Sequence, residues 1–403
     1  MSERPERFPS FPKGTLAIFS ATLVNMLAVG AALPILPRYV ERELHAGRVQ
    51  VGLVIGAFAF AAIAARPFAG RFGDRRGRKP VMIFGTAMTA LAGAMYALPF
   101  GVAGLVGARV VLGAGEGVVY TSGAAWVADR ASDENRGRLI GLFGLSIWGG
   151  VATGPLLGQI VFDATNSYTA VWALCALMPL ASLGILASMK RGGRPVLHEA
   201  PPTGIASLLP KASIRPGLAL MTSNLGYAAV ASFLVLMLDE RGIGHGALAF
   251  GFFAGAVVIN RLLFGNLADR LGGRRGAMLA SAVEGIGLLV FAAAHSLPVA
   301  LAGAVVMGSG FAMLFPSLAL LVLADADPAT RGAAMGTFTA FFDLGIAFGS
   351  PLVGLVAAQF GYGAAFIAGA CGAAVGFVIA ATSPPPRSQT NLRLDSELEL
   401  EPL

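Results

Sequence analysis

Residues 108–126 read ARVVLGAGEGVVYTSGAAW, an apolar run broken by one arginine and one carboxylate, Arg109 and Glu116, seven positions apart. In an α-helix that spacing sends both side chains out on almost the same face. A charge inside a long apolar helix is costly, and it usually marks a substrate path or a proton relay. Burial and a nearby guanidinium act on a carboxyl group in opposite senses, which makes Glu116 a candidate for reversible protonation. Gly113 and Gly117 flank this face and are expected to leave room for a cavity. The competing reading is a static ion pair that only pins helices together. Asp343, in FFDLGIAFGSP, is a second acid in an apolar run, with no cation near it in sequence. Glu284 is a third, and reads as a cap for a basic group at the cytoplasmic side. Asn25, Asn224 and Tyr227 are polar groups in apolar stretches that could touch a substrate. Arg66 and Arg261 stand near the ends of their runs, where snorkelling to the interface competes with a gating role.

A second chemistry lies in the loops. Residues 66–79 read RPFAGRFGDRRGRK and residues 261–275 read RLLFGNLADRLGGRR. Arg66, Gly70, Asp74, Arg75 and Gly77 recur as Arg261, Gly265, Asp269, Arg270 and Gly272, each 195 places later. Arg136-Gly137, Gly141 and Gly154 recur as Arg331-Gly332, Gly336 and Gly349 at the same offset. Two halves are therefore written on one plan. Gly70 and Gly77 permit close helix approach and a sharp turn. Asp74 could face the positive N-terminus of a helix in the other half. Arg78 could hold Asp74 together with Asp129. The bland alternative is a set of cations kept only for topology.

The elements that position these residues follow from composition. Hydrophobic residues make up 56% of 403 and charged ones 13%, with a mean hydropathy of +0.72. A soluble domain carries about a quarter of its residues as charges, so this is an all-α membrane protein. A helix crosses the hydrocarbon with about 20 apolar residues. Twelve such spans are predicted, at roughly 14–36, 49–69, 81–99, 101–127, 139–162, 168–189, 217–238, 246–267, 277–294, 298–323, 333–357 and 361–382. The charged start, MSERPERFPSFPKG, precedes a run too long for a signal-peptide core and without a convincing cleavage site. Of the 29 cations, 22 fall in segments on the side of the N-terminus and four on the other, which places both termini in the cytoplasm.

The expected domains are a tail (1–13), a six-helix half (14–189), a cytoplasmic linker (190–216), a second six-helix half (217–382) and an acidic, disordered tail (383–403). Parallel six-span halves are a transporter architecture. The net charge of +7 does not point to nucleic acid, because the basic residues sit between apolar spans. Cys175 and Cys371 lie within spans, and the four histidines are scattered, so neither a disulfide framework nor a metal site is expected. No G-x4-G-K-[ST] loop or nucleophile elbow occurs. The chain is expected to need no cofactor, to be no enzyme and not to be driven by ATP.

On these motifs the chain resembles the major facilitator superfamily, and within it the twelve-helix drug/proton antiporters. The stretch Gly70-Arg-Phe-Gly-Asp74-Arg-Arg-Gly77-Arg78-Lys79 is similar to that family's signature loop between helices 2 and 3. The second copy is partial, since Gly273 stands where the signature arginine would be. Gly141, Gly150, Gly154, Pro155 and Gly158, spaced G-x8-G-x3-G-P-x2-G, resemble the exporters' antiporter motif, with Gln159 in place of the usual final glycine. The expected roles are a bend at Pro155 and a glycine face meeting the other half. Arg109 resembles the family's span 4 arginine, associated with proton transfer. Asn25 stands in a span where drug exporters often carry an acid.

The resemblance implies two pseudo-symmetric six-helix halves. It also implies a loop latch of Asp74, Arg78 and Asp129, echoed by Asp269 and Arg270, that locks the cytoplasmic side. The implied activity is proton-coupled efflux of small amphipathic molecules by alternating access, from a monomer in a bacterial inner membrane. An importer or facilitator of a sugar or organic acid, with Arg109 as anion anchor, is the alternative.

Overall fold

The computed structural model describes residues 12, 14–98, 100–132, 135–189, 210–326 and 330–383. Nearly all of both predicted tails and most of the predicted linker lie outside these. Among the described residues there are twelve long helices. They are α1 (Thr15–Ala32, continued by α2, Ile35–Arg38, and a π-helical turn, Tyr39–Glu43), α3 (Arg48–Arg76), α4 (Arg78–Met95), α5 (Gly101–Ala128), α6 (Arg136–Thr165) and α7 (Tyr168–Ser188). After the linker come α8 (Lys211–Glu240), α9 (Gly246–Phe264, followed by the short α10, Leu267–Leu271), α11 (Gly273–Ala292), α12 (Leu297–Asp325), α13 (Arg331–Phe360) and α14 (Tyr362–Ala381). Eleven are long and apolar enough to cross a bilayer by themselves. The exception, α4, is only 18 residues long and opens on Arg78-Lys79.

Two boundaries differ from the sequence reading. The first span ends its regular helix at Ala32, because Pro34 has no N–H to donate, and then runs on to Glu43. The second span runs seven residues past its predicted end, to Arg76, so most of the signature stretch is helical. Only Gly77 leaves the helix, at φ 89° and ψ 155°. Its counterpart Gly272 adopts φ 75° and ψ 156° at the start of α11. A side chain is strained in that region, so glycine at these two positions is a backbone requirement.

The described residues group into two compact units, the first holding those up to Ala46 and from Ala57 into α7, the second Gly47–Gly56 and α8 onward. Helix α3 thus contributes to both. Within each unit, glycines set the helix spacing. A Cβ on Gly154 of α6 would stand 2.7 Å from Gly30 Cα and Leu27 O of α1. One on Gly85 of α4 would stand 2.7 Å from Gly115 O of α5, and one on Gly345 of α13 2.6 Å from Met221 O of α8. Apolar side chains gain nothing by leaving lipid for one another, so close backbone approach supplies the packing.

Gly154→Leu is therefore expected to destabilise the protein by about 1–3 kcal/mol through overpacking. Gly141→Leu, at a site with no neighbour within 4 Å, is the control and should change little. Unfolding midpoints in detergent measure both. Equal losses at the two sites would contradict the packing account.

Candidate functional site

The loop between α3 and α4 is built around one guanidinium. Asp74 sits in the last turn of α3 and Arg78 opens α4, four residues on. Arg78 Nη2 lies 2.7 Å from Asp74 Oδ1, and its Nε donates to Asp129 Oδ2 at 3.0 Å. Asp129 caps the end of α5. One side chain therefore ties three helix ends of the first unit together. Gly70 does not provide the close approach expected of it, since nothing lies within 4 Å of a Cβ placed there. The residue is inside the extended α3, on an open face. In the second copy, Asp269 and Arg270 fall in α10, and Gly273 occupies the place of Arg78. Among the described residues Asp269 forms no ion pair, because the bridging guanidinium is missing there.

The next cation carries the repeat further. Lys79 Nζ donates to Ala187 O at 3.1 Å and to Met189 O, at the end of α7. Arg274, 195 places later, donates to Ala381 O at the end of α14. Both place positive charge on unpaired carbonyls at a negative helix end. Sequence reasoning took these as topology cations, and only the 195-residue offset could have hinted at the shared role.

Arg109 and Glu116 are both buried in α5, at 3% and 7% exposure, with roughly 10 Å of helix rise between their Cα atoms. The Arg109 guanidinium stacks 4.8 Å from the Phe58 ring and lies beside the Tyr96 hydroxyl and the Cys175 thiol. Arg66 stacks 5.0 Å from Tyr120 of the same helix. The flanking glycines do not open a cavity. Gly113 packs on Phe58 O of α3, and a Cβ on Gly117 would stand 2.8 Å from Ala62 O. Their missing side chains admit a neighbouring backbone, and the space is filled.

In the second unit Asp343 is 3% exposed within α13. Asn224 is fully buried in α8 and donates from Nδ2 to Phe342 O at 2.9 Å, which ties α8 to α13 beside the acid. Tyr227, half-buried and one turn on, stacks 5.3 Å from Phe311 and lies 5.9 Å from Phe253. Asn25, in the first unit, is fully buried in α1 with neither amide atom hydrogen-bonded.

The glycine face of α6 has a local partner. Gly150, Gly154 and Gly158 close on Met26, Gly30 and Ala31 of α1, in the same unit. Pro155 lies inside α6, with its Cδ against Gly30. The face expected to meet the other half is thus taken up by an α1–α6 seam. Gln159 accepts from Arg38 Nη1 at 2.7 Å and donates to Asp163 Oδ1 at 2.7 Å. Arg38 is buried, so the departure from the glycine motif serves to satisfy it.

Two further residues were not anticipated in these roles. Arg48, at the start of α3, donates to Ala357 O at 2.8 Å, pairs with Glu240 at 3.2 Å and stacks 4.0 Å from Tyr362. Glu284, expected to cap a basic group, is instead fully buried near the middle of α11, and neither oxygen has a hydrogen-bond partner.

The model of the Major Facilitator Superfamily matches residues 18–264 and 216–400. An uncharacterized MFS-type transporter of Burkholderia mallei (strain SAVP1) is 32% identical over 372 residues, covering 90% of each chain. One from Pseudomonas aeruginosa (strain LESB58) is 32% identical over 388 residues, covering 93% of this chain and 94% of the relative. Among solved structures, the human organic anion transporter MFSD10 (TETRAN) has a TM-score of 0.68 at 20% identity, covering 93% of this chain and 100% of that one. A point mutant of the nucleoside transporter NupG has a TM-score of 0.77 at 14% identity, with 91% and 98% covered. Their likeness carries the fold. Twelve long helices among the described residues, a paired loop repeat and relatives aligned nearly from end to end make this integral membrane protein a member of the Major Facilitator Superfamily, a family of transporters.

Proposed function

We propose that the protein is a proton-coupled secondary transporter that exports small amphipathic molecules by alternating access. It acts as a monomer in a bacterial inner membrane, with both termini in the cytoplasm. The observation that carries the reading is a pair of buried acids, Glu116 in α5 and Asp343 in α13. An acid held deep in an apolar bundle changes its charge when a conformational change alters its surroundings, and that links a proton to an access state. The α6 glycine motif supports export, and the large excess of cations on one side supports the orientation.

Import or facilitated passage of a sugar or organic acid is the second reading, with Arg109 as anion anchor. An organic anion transporter and a nucleoside transporter among the similar folds favour keeping it. Against it, Arg109 is already covered by Phe58 and flanked by Tyr96.

Accumulation of fluorescent amphipathic dyes in cells, with and without an uncoupler, separates the two. Energy-dependent loss of dye is the expected result, and uncoupler-insensitive uptake would reverse the assignment. Glu116→Gln keeps the shape but cannot ionise, so proton-driven extrusion should collapse while proton-independent exchange survives. Asp343→Asn is the comparison. Loss in Asp343→Asn alone moves coupling to α13, and full retention in both removes the proton claim.

The latch is proposed to hold the cytoplasmic side closed. Each pair around Arg78 is partly exposed and worth about 1 kcal/mol. Arg78→Ala removes both and frees Asp74, and should shift the access equilibrium toward inward-facing by at most roughly 5–30-fold, the limit in which both pairs exist only in the closed state. Asp74→Asn removes one and should act in the same direction, more weakly. Transport should fall strongly while membrane insertion stays normal, and cysteine accessibility from the two sides reads the shift. Unchanged accessibility with normal transport would strip the loop of this role.

A further inference from the structure

Glu284 is fully buried, and both of its carboxyl oxygens lack a hydrogen-bond partner. It lies near the middle of α11, where α8 and α12 each meet it through a glycine. A Cβ on Gly226 of α8 would stand 3.0 Å from its Oε1, and one on Gly310 of α12 2.9 Å from its Cα. Helix α14 packs along the same helix, with Ala373 facing Gly285. No charge faces the carboxyl from these elements among the described residues. The ionisable groups of α8, namely Lys211, Arg215, Asp239 and Glu240, lie toward its two ends, and Tyr227 turns onto Phe311. Helix α12 has Asp325 as its last residue. Helix α14 carries Tyr362 at its first residue and an exposed Cys371. Arg274 and Arg275 sit in the first turn of α11 itself.

An ionised carboxylate without a protein partner in such a place costs many kcal/mol, so the neutral acid is the form that fits. Helices α8, α11 and α12 also bury hydroxyls. Ser281 stands one turn from Glu284 toward the start of α11. Ser223 stands one turn before Gly226 on α8 and faces Gly376 of α14. Ser317 of α12 faces Gly276, roughly 12 Å down α11 from Glu284. All three hydroxyls are buried without a hydrogen-bond partner. Besides Glu284, the second unit thus buries Ser281 on α11, Ser223 on α8 and Ser317 on α12, none hydrogen-bonded to another. Isolated polar atoms in a bundle closed by glycine and alanine are expensive, and a carboxyl group is the most expensive of them.

We propose that Glu284 is a proton-binding site, loaded in this conformation and exchanging its proton toward the start of α11, past Ser281 one turn away. Loading forms an O–H bond between an aqueous proton and the carboxylate. Unloading breaks that bond and returns the proton to water when α11 parts from α8 and α12. The inference rests on the proton-coupled reading only for the use made of the proton.

The test is infrared difference spectroscopy on the full-length protein in lipid nanodiscs, stepped in pH, with the proton itself as probe. Wild type should show a neutral carboxylic-acid carbonyl band that shifts in heavy water and fades as pH rises. Glu284→Gln should lack that band, and Ser281→Ala should slow its exchange. Carbodiimide labelling of the unmutated protein, located by mass spectrometry, is the second measurement and needs no variant to fold. Labelling at Glu284 should fall as pH rises. No Glu284 band and no labelling, or a band that never exchanges with heavy water, overturns the proposal whatever the fate of Glu116 and Asp343. A titrating Glu284 in a protein whose dye transport ignores the uncoupler supports the site and sinks the coupling reading instead.

Discussion

Lipid offers an apolar helix as good a neighbour as another apolar helix does, so the bundle must be held by something other than the hydrophobic effect. Here that is the approach of backbone to backbone through missing side chains. Gly154 meets Gly30, Gly85 meets Gly115, and Gly345 meets Met221, each closer than any Cβ could tolerate. Several of the buried charged residues lie on such seams. Arg109 and Glu116 are buried because Gly113 and Gly117 bring α3 against α5. Glu284 is buried because Gly226 and Gly310 leave no gap beside it. In a soluble protein the 54 glycines would weaken helices, but in lipid they determine which polar groups are cut off from water.

The repeat is visible at three levels. Identical residues recur 195 places apart, Gly77 and Gly272 take the same left-handed backbone, and Lys79 and Arg274 cap the last helix of their units. One difference between the copies changes the contact. Where the first has Arg78 and a three-helix tie, the second has Gly273, which packs against Ser317 and Leu321 of α12. A charged clamp has been replaced there by close packing. The two loops therefore resist separation of their helices differently, one through ion pairs weakened by salt, the other through contacts that salt does not touch.

Twelve spans and the doubled loop were legible in sequence because both depend on local properties: apolar length, and a glycine at a turn that only glycine fits. The Asp74–Arg78 contact was legible for the same reason, being an i,i+4 neighbour. What a helix face touches was not legible, since periodicity gives a face but not its partner. Hence Gly113 and Gly117 read as cavity formers when they are filled by α3, and the α6 glycines read as a contact between halves when they close on α1. Gln159 was noticed as a departure, but its meaning depended on Arg38, 121 positions away. Glu284 was misplaced because its surroundings come from α8, α12 and α14, distant in sequence.

Cations and acids are treated in opposite ways by this fold. Several basic side chains near helix ends find carbonyls at a helix C-terminus: Lys79 at α7, Arg274 at α14, Arg48 at α13, and Arg241 at α11 through Ala294 O at 2.6 Å and Ala292 O at 2.9 Å. A helix end at the membrane interface leaves about four carbonyls unpaired, and a long flexible cation reaches them while its head stays near water. A carboxylate cannot do the same, since it accepts hydrogen bonds and these ends offer only acceptors. An acid in mid-helix must instead find a donor or take up a proton. That asymmetry explains how a basic chain can place its positive charge on helix ends while three acids, Glu116, Glu284 and Asp343, stay buried in mid-helix, where each needs a donor or a proton.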